Sequence, residues 1–215
     1  MKYIHTVDGI SKEIYLFEID KNQTLIPINH PKILRAEKCE YFIVRKQIAK
    51  MLEKATTLLP DGYQFKVFET YRSHKKQLSL WNDITNQLKN ENPYKSQEEI
   101  ELLANEMIAN PHKIGSGHQT GGAIDITLCH KGREVDMGTK YLATDNPNSR
   151  TESKNLTPEQ QKNRHLMKSI LEQVGFVNYP PEWWHFSFGE HEWAVLTKHK
   201  FTLFRAIGQT PFQRE

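Results

Sequence analysis

The sequence predicts an α+β fold, with helices packed on a small, largely antiparallel sheet. Three observations lead there. The chain has 215 residues, which suits one domain with embellishments. Several segments place apolar residues three and four apart, the spacing of one helix face. Short strand-like runs lie between those helices, but without the strict alternation of a doubly wound sheet. We therefore expect one domain over 1–215, with an extended N-terminal segment at 1–40 and a C-terminal tail at 191–215.

In the N-terminal segment, I-Y-L-F-E-I (14–19) is strand-like, and Pro27 and Pro31 then interrupt. From Tyr41 to Leu59 the apolar positions Phe42, Val44, Ile48, Met51, Leu52, Ala55, Leu58 and Leu59 predict an amphipathic helix. L-P-D-G-Y is a turn, and F-K-V-F after it alternates as a strand does. Leu78, Trp81, Ile84 and Leu88 mark a second helix from about Ser73. Ser96 and Glu99 form a capping box for a third, with Ile100, Leu103, Met107 and Ile108 turned inward and Asn110-Pro111 as its stop. Ala123 to Cys129 is a strand, and Lys140 to Asn155 a long polar surface loop. Thr157 caps a further helix with Pro158 at its first position. Leu166, Met167, Ile170, Leu171 and Val174 are its buried stripe, and Gly175 is its stop. Trp184 to Phe188 is the final strand.

Composition narrows the function. Charged residues make up 26% and hydrophobic residues 37%, an ordinary soluble globular balance. A net charge of +3, with no run of Lys and Arg, argues against nucleic acid or an anionic membrane as partner. The N-terminus lacks an apolar signal region, and no stretch approaches the roughly eighteen apolar residues of a membrane helix. The expected address is the cytoplasm. Cys39 and Cys129 fit that address as free, buried thiols.

Two stretches carry chemistry. In P-P-E-W-W-H-F-S-F (180–188), Glu182 and His185 converge only if Glu182 still belongs to the irregular Pro-Pro segment, because residues three apart on a strand face opposite ways. Zinc hydrolases pair a metal-bound histidine with a proton-accepting glutamate. Taken alone, E-W-W-H reads first as a buried histidine among aromatics beside a surface glutamate. In S-G-H-Q-T-G-G-A-I-D-I-T-L (116–128), an aspartate opens an apolar run. Buried there, Asp125 needs a cation or several donors. Gly117, Gly121 and Gly122 let the chain fold sharply enough to bring His118 back beside it. His118, Asp125 and His185 make three ligands with a fourth position open, the count of a catalytic zinc site. Two cysteines are too few for a Cys-rich structural site.

Together these stretches resemble the signature of the zinc D,D-peptidases. That family includes the D-alanyl-D-alanine dipeptidases of vancomycin-resistance type and related D,D-carboxypeptidases. The matching residues are Ser116, His118, Gly121, Ala123 and Asp125, then Glu182, Trp184 and His185. V-F-E-T-Y-R-S (67–73), Asp136-Met137-Gly138 and L-M-K-S-I-L-E-Q-V-G-F (166–176) extend the resemblance to about residues 41–190. The resemblance implies that His118, Asp125 and His185 hold one zinc ion per chain. It also implies that Glu182 is the general base, that Arg72 stabilises the oxyanion, and that Ser116 meets the terminal carboxylate region of a small peptide substrate. The implied reaction is hydrolysis of D-alanyl-D-alanine, or a similar D,D-dipeptide, by metal-activated water. Three departures stand out. Ser73 replaces a proline and Glu69 an aspartate. Leu142 replaces the acid that holds the dipeptide's ammonium group, with Asp145 as the nearby candidate substitute. Two rival readings remain, a D,D-carboxypeptidase trimming stem peptides and a non-catalytic zinc-site binding protein. His191, Cys129, Trp81 and Trp183 read as surface or packing residues, and Trp184 as core with a possible face to substrate.

Overall fold

The structure is a computed structural model and describes residues 2–18 and 24–208. It opens on an antiparallel hairpin of β1 (Lys2–Val7) and β2 (Ile10–Tyr15). Asp8 and Gly9 turn it, both with positive φ. Ile14 and Tyr15 of the expected I-Y-L-F-E-I strand end β2, while Ile19 lies outside the described residues. Three short strands follow, β3 (Leu25–Pro27), β4 (Ile33–Arg35) and β5 (Ile43–Arg45).

Helix α1 runs only over Lys46–Thr56, so the helix expected from Tyr41 begins five residues late. Ile43–Arg45 instead pairs antiparallel with Leu25–Pro27. The β-branched pair Ile43-Val44 suits a strand, and Val44 stays fully buried, which preserves the helical-looking spacing. Beyond it come β6 (Tyr63–Glu69), α2 (His74–Glu91) and α3 (Gln97–Met107). Ser73, the residue in place of a proline, accepts from the Lys76 backbone N–H and caps α2. The Ser96–Glu99 capping box is present. The buried face of α3 is Ile100 and Ala104, however, and Met107 is exposed.

The remaining elements are α4 (Gly117–Thr120), β7 (Ala123–His130), β8 (Arg133–Glu134), a 3-10 turn at Pro147–Ser149, α5 (Pro158–Gln173), β9 (Val177–Asn178), β10 (His185–Ser187) and α6 (His191–Leu196). The main sheet has the order β4-β6-β7-β10-β9, with β8 also on β7. Only β4–β6 is parallel, so the sheet is largely antiparallel, as expected.

The core lies between this sheet and helices α1 and α5, around Ile48, Leu52, Phe65, Met167, Leu171 and Phe186. Each such side chain contributes about 1.5–3 kcal/mol by leaving water. Ile124, Ile126 and Leu128 of β7 join that core. Strand period then turns Asp125 and Thr127 to the opposite face. This explains how a carboxylate sits inside an apolar run.

Two expectations need correction here. The polar loop after Lys140 is only partly on the surface: Ser149 and Thr151 are buried, and Arg164 on α5 donates to the carbonyls of Met137, Asn148 and Arg150 at 2.7, 2.8 and 2.6 Å. The expected tail begins with α6, in which His191 is only 3% exposed. Its ring packs edge-on to His5 of β1 at 4.6 Å. Glu190 creates this helix by accepting from the Glu192 and Trp193 backbone N–H groups, so G-E-H-E-W is a capped helix start.

Candidate active site and metal centre

Glycines and one cap shape the first half of the site. Ser116 accepts from the Gln119 backbone N–H, and Gln119 accepts from that of Ser116, starting α4. Gly121 ends it with φ +72°, a region that favours glycine. Gly122 passes so close to the Phe188 carbonyl that a Cβ would lie 2.6 Å from that oxygen. The chain thus doubles back from His118 into β7. On the other side, His185 of β10 stands directly opposite Asp125 in register.

His118, Asp125 and His185 are all buried, and one donor atom from each lies within 4.8 Å of the others. His118 Nε2 is 3.4 Å and His185 Nδ1 2.9 Å from Asp125 Oδ1. Donors around a tetrahedral zinc ion, each about 2.1 Å from it, lie about 3.4 Å apart. The remaining polar atom of each of these three side chains is already engaged. His118 Nδ1 donates to the Thr70 carbonyl at 2.8 Å, the Tyr141 hydroxyl donates to Asp125 Oδ2 at 2.8 Å, and His185 Nε2 donates to Glu192 at 3.0 Å. Each of the three side chains therefore turns one fixed atom towards the others, an arrangement that would suit zinc.

The charges agree. Burial works to raise the Asp125 carboxyl, yet the charge and hydrogen bonds of His118 and His185 hold it far below the usual carboxylate range. Burial works to lower His185, but Glu192 and Asp125 together raise it well above an ordinary histidine.

Glu182 reaches this cluster through two successive turns. Its N–H donates to the Tyr179 carbonyl, and its own carbonyl accepts from the His185 N–H. It therefore precedes the strand, as the sequence required. Burial pushes its carboxyl up to about 7, with Asp125 and Glu192 adding to the rise and His185 and His118 opposing it. Arg72 follows β6. Its guanidinium donates to both oxygens of Glu69 at 2.7 and 2.5 Å and to Gln77 at 2.9 Å. Its backbone N–H donates to the His118 carbonyl. Burial opposes its charge, but the Glu69 carboxylate holds the pKa above the ordinary value.

The other expected residues fare differently. Ser116 is buried and its hydroxyl caps α4. Asp145 is exposed and makes no hydrogen bond or ion pair among the described residues. Leu142 is 58% exposed, with φ +62°. Trp81, Trp183 and Trp184 are core, and both cysteines are free and buried. Sequence reasoning missed Tyr141, Glu192 and Thr70 as hydrogen-bond partners of His118, Asp125 and His185. An aromatic residue just before Leu142 and an acid seven residues beyond His185 were the available signals.

The chain is 30% identical to a D-alanyl-D-alanine dipeptidase of Synechocystis sp. over 71% of its length and 72% of the relative's. It is 26% identical to the D-alanyl-D-alanine dipeptidase of Escherichia coli over 77% of each. A solved structure, of the LdcB LD-carboxypeptidase, aligns over 94% of this chain and 91% of that one, with 20% identity and a TM-score of 0.48. Residues 32–205 match the model of the Peptidase M15 family, described as D-Ala-D-Ala dipeptidase, and the chain belongs to that metallopeptidase family.

Proposed function

We propose that the protein hydrolyses D-alanyl-D-alanine, or a close D,D-dipeptide, to free amino acids in a zinc-dependent reaction. The carrying observation is that His118 Nε2 and His185 Nδ1 lie 3.4 and 2.9 Å from Asp125 Oδ1, with one donor atom of each residue within 4.8 Å of the others. The named activity of the relatives supports the same reading. A zinc ion held by these three residues would polarise the scissile carbonyl and acidify a water molecule.

Glu182 takes the proton of the attacking water on its carboxylate and passes it to the leaving amine. A pKa of about 7 suits both halves of that transfer. Arg72, its planar group locked by Glu69 and Gln77, supplies fixed positive charge for the developing oxyanion. Ser116 and Asp145 complete the proposal, the first for the substrate's carboxylate and the second, from the loop carrying Tyr141, for its ammonium group.

A second reading, a D,D-carboxypeptidase acting on longer peptides, is favoured by one observation: Leu142 presents no acid for a free ammonium group. No helix among the described residues is long and apolar enough to cross a membrane. The proposal includes a cytoplasmic address, which cell fractionation tests. For the mechanism, Glu182→Ala should abolish turnover while zinc stays bound. Retained turnover refutes the role of Glu182.

A further inference from the structure

α6 carries an acid that the reaction above does not use. Glu192 Oε2 lies 3.0 Å from His185 Nε2, and its side chain is 19% exposed. It cannot swing freely. Its backbone N–H is tied to Glu190, which is wholly buried and also accepts from the Trp193 N–H. Val7 and Ile14 of the N-terminal hairpin pack with Trp193, Ala194 and Val195 of α6. His5 of the same hairpin lies edge-on to His191, next to Glu192 in sequence. The hairpin precedes residue 32, where the match to the family model begins.

We infer that Glu192 is a positioning residue for the metal centre, fixing His185 so that Nδ1 faces the ion, on a helix held in place by the N-terminal hairpin. The chemistry is that of a carboxylate accepting from a ligating histidine. Such a partner sets the tautomer and ring orientation and makes the ligand more basic. The Thr70 carbonyl accepts from His118 in the same way but is neutral, and the neutral Tyr141 hydroxyl orients Asp125 by donating to it. Glu192 is the partner that also brings charge.

The inference rests on the zinc-site reading, so the test separates the two. Zinc affinity would be measured by competition with a chromophoric chelator for wild type, Glu192→Gln and Glu192→Ala. The cobalt-substituted proteins would be compared by visible absorption. Wild type should bind zinc. Glu192→Ala should bind about 10–100-fold more weakly, with an altered cobalt spectrum, and Glu192→Gln, which keeps an acceptor oxygen and the shape, should fall between. Circular dichroism of the metal-free proteins checks folding, and Glu192→Gln serves if the alanine variant fails that check. Wild-type affinity and spectrum in a folded Glu192→Ala protein, or in Glu192→Gln where the alanine variant does not fold, overturns the positioning role alone. A wild-type protein that takes up no zinc overturns the metal centre and this inference with it.

Discussion

Replacing Tyr141 by phenylalanine removes one oxygen atom and little else. The ring stacks on Phe68 at 4.3 Å and 9°, and meets the edge of Trp184 at 5.7 Å, and phenylalanine keeps both contacts. The hydroxyl donates to Asp125 Oδ2 at 2.8 Å. Burial, with the charge of Asp125, pushes the phenol pKa far up, so it remains a donor at every working pH. Asp125 is 2% exposed, so water cannot readily replace the lost donor. A hydrogen bond to a charged group is worth about 1.5–3 kcal/mol, and about 1.4 kcal/mol is a factor of ten. Zinc affinity of Tyr141→Phe should drop about 10–100-fold, with the folded circular dichroism spectrum unchanged. The assay is competition with a chromophoric chelator near neutral pH. An affinity within about threefold of wild type would refute the idea that each ligand is aligned from behind.

Two further outcomes follow from the same structure. Arg72→Lys cannot keep the two-oxygen grip on Glu69 together with the bond to Gln77. Its kcat should fall about 10²–10³-fold with zinc affinity unchanged, and a kcat within threefold of wild type would remove Arg72 from the chemistry. His5 concerns stability. Burial first, then His191, lowers its pKa from 6.5 to about 4. The unfolded chain therefore takes up this proton at higher pH than the folded one, and the metal-free protein loses stability as pH falls from about 6.5 towards 4, by at most about 3 kcal/mol. Urea midpoints at about pH 7 and about pH 4.5 should differ less in His5→Gln than in wild type. An equal difference contradicts the assignment.

Much of this was legible in the sequence wherever one residue type has a narrow set of uses. The capping boxes at Ser96 and Thr157 sit where expected, because a cap needs only local chain. Asp125 inside A-I-D-I-T-L pointed to a buried charge that needs partners, and the partners are His118 and His185. The helix start at Lys46 was not legible, because pairing with Leu25–Pro27 decides it from a distance. Nor was His191: G-E-H-E-W looks like a turn until the hairpin covers it. Tyr141 and Glu192 act through contacts 16 and 7 residues away in sequence. No spacing rule marks those separations.

The central claim is the reaction, and amino-acid release by the purified, zinc-loaded protein tests it most directly. The substrates would be D-Ala-D-Ala, L-Ala-L-Ala and an N-acetylated peptide ending in D-Ala-D-Ala. The account predicts release from free D-Ala-D-Ala and none from L-Ala-L-Ala. Cleavage of the blocked peptide alone, or no release from any of the three with zinc bound, would contradict it.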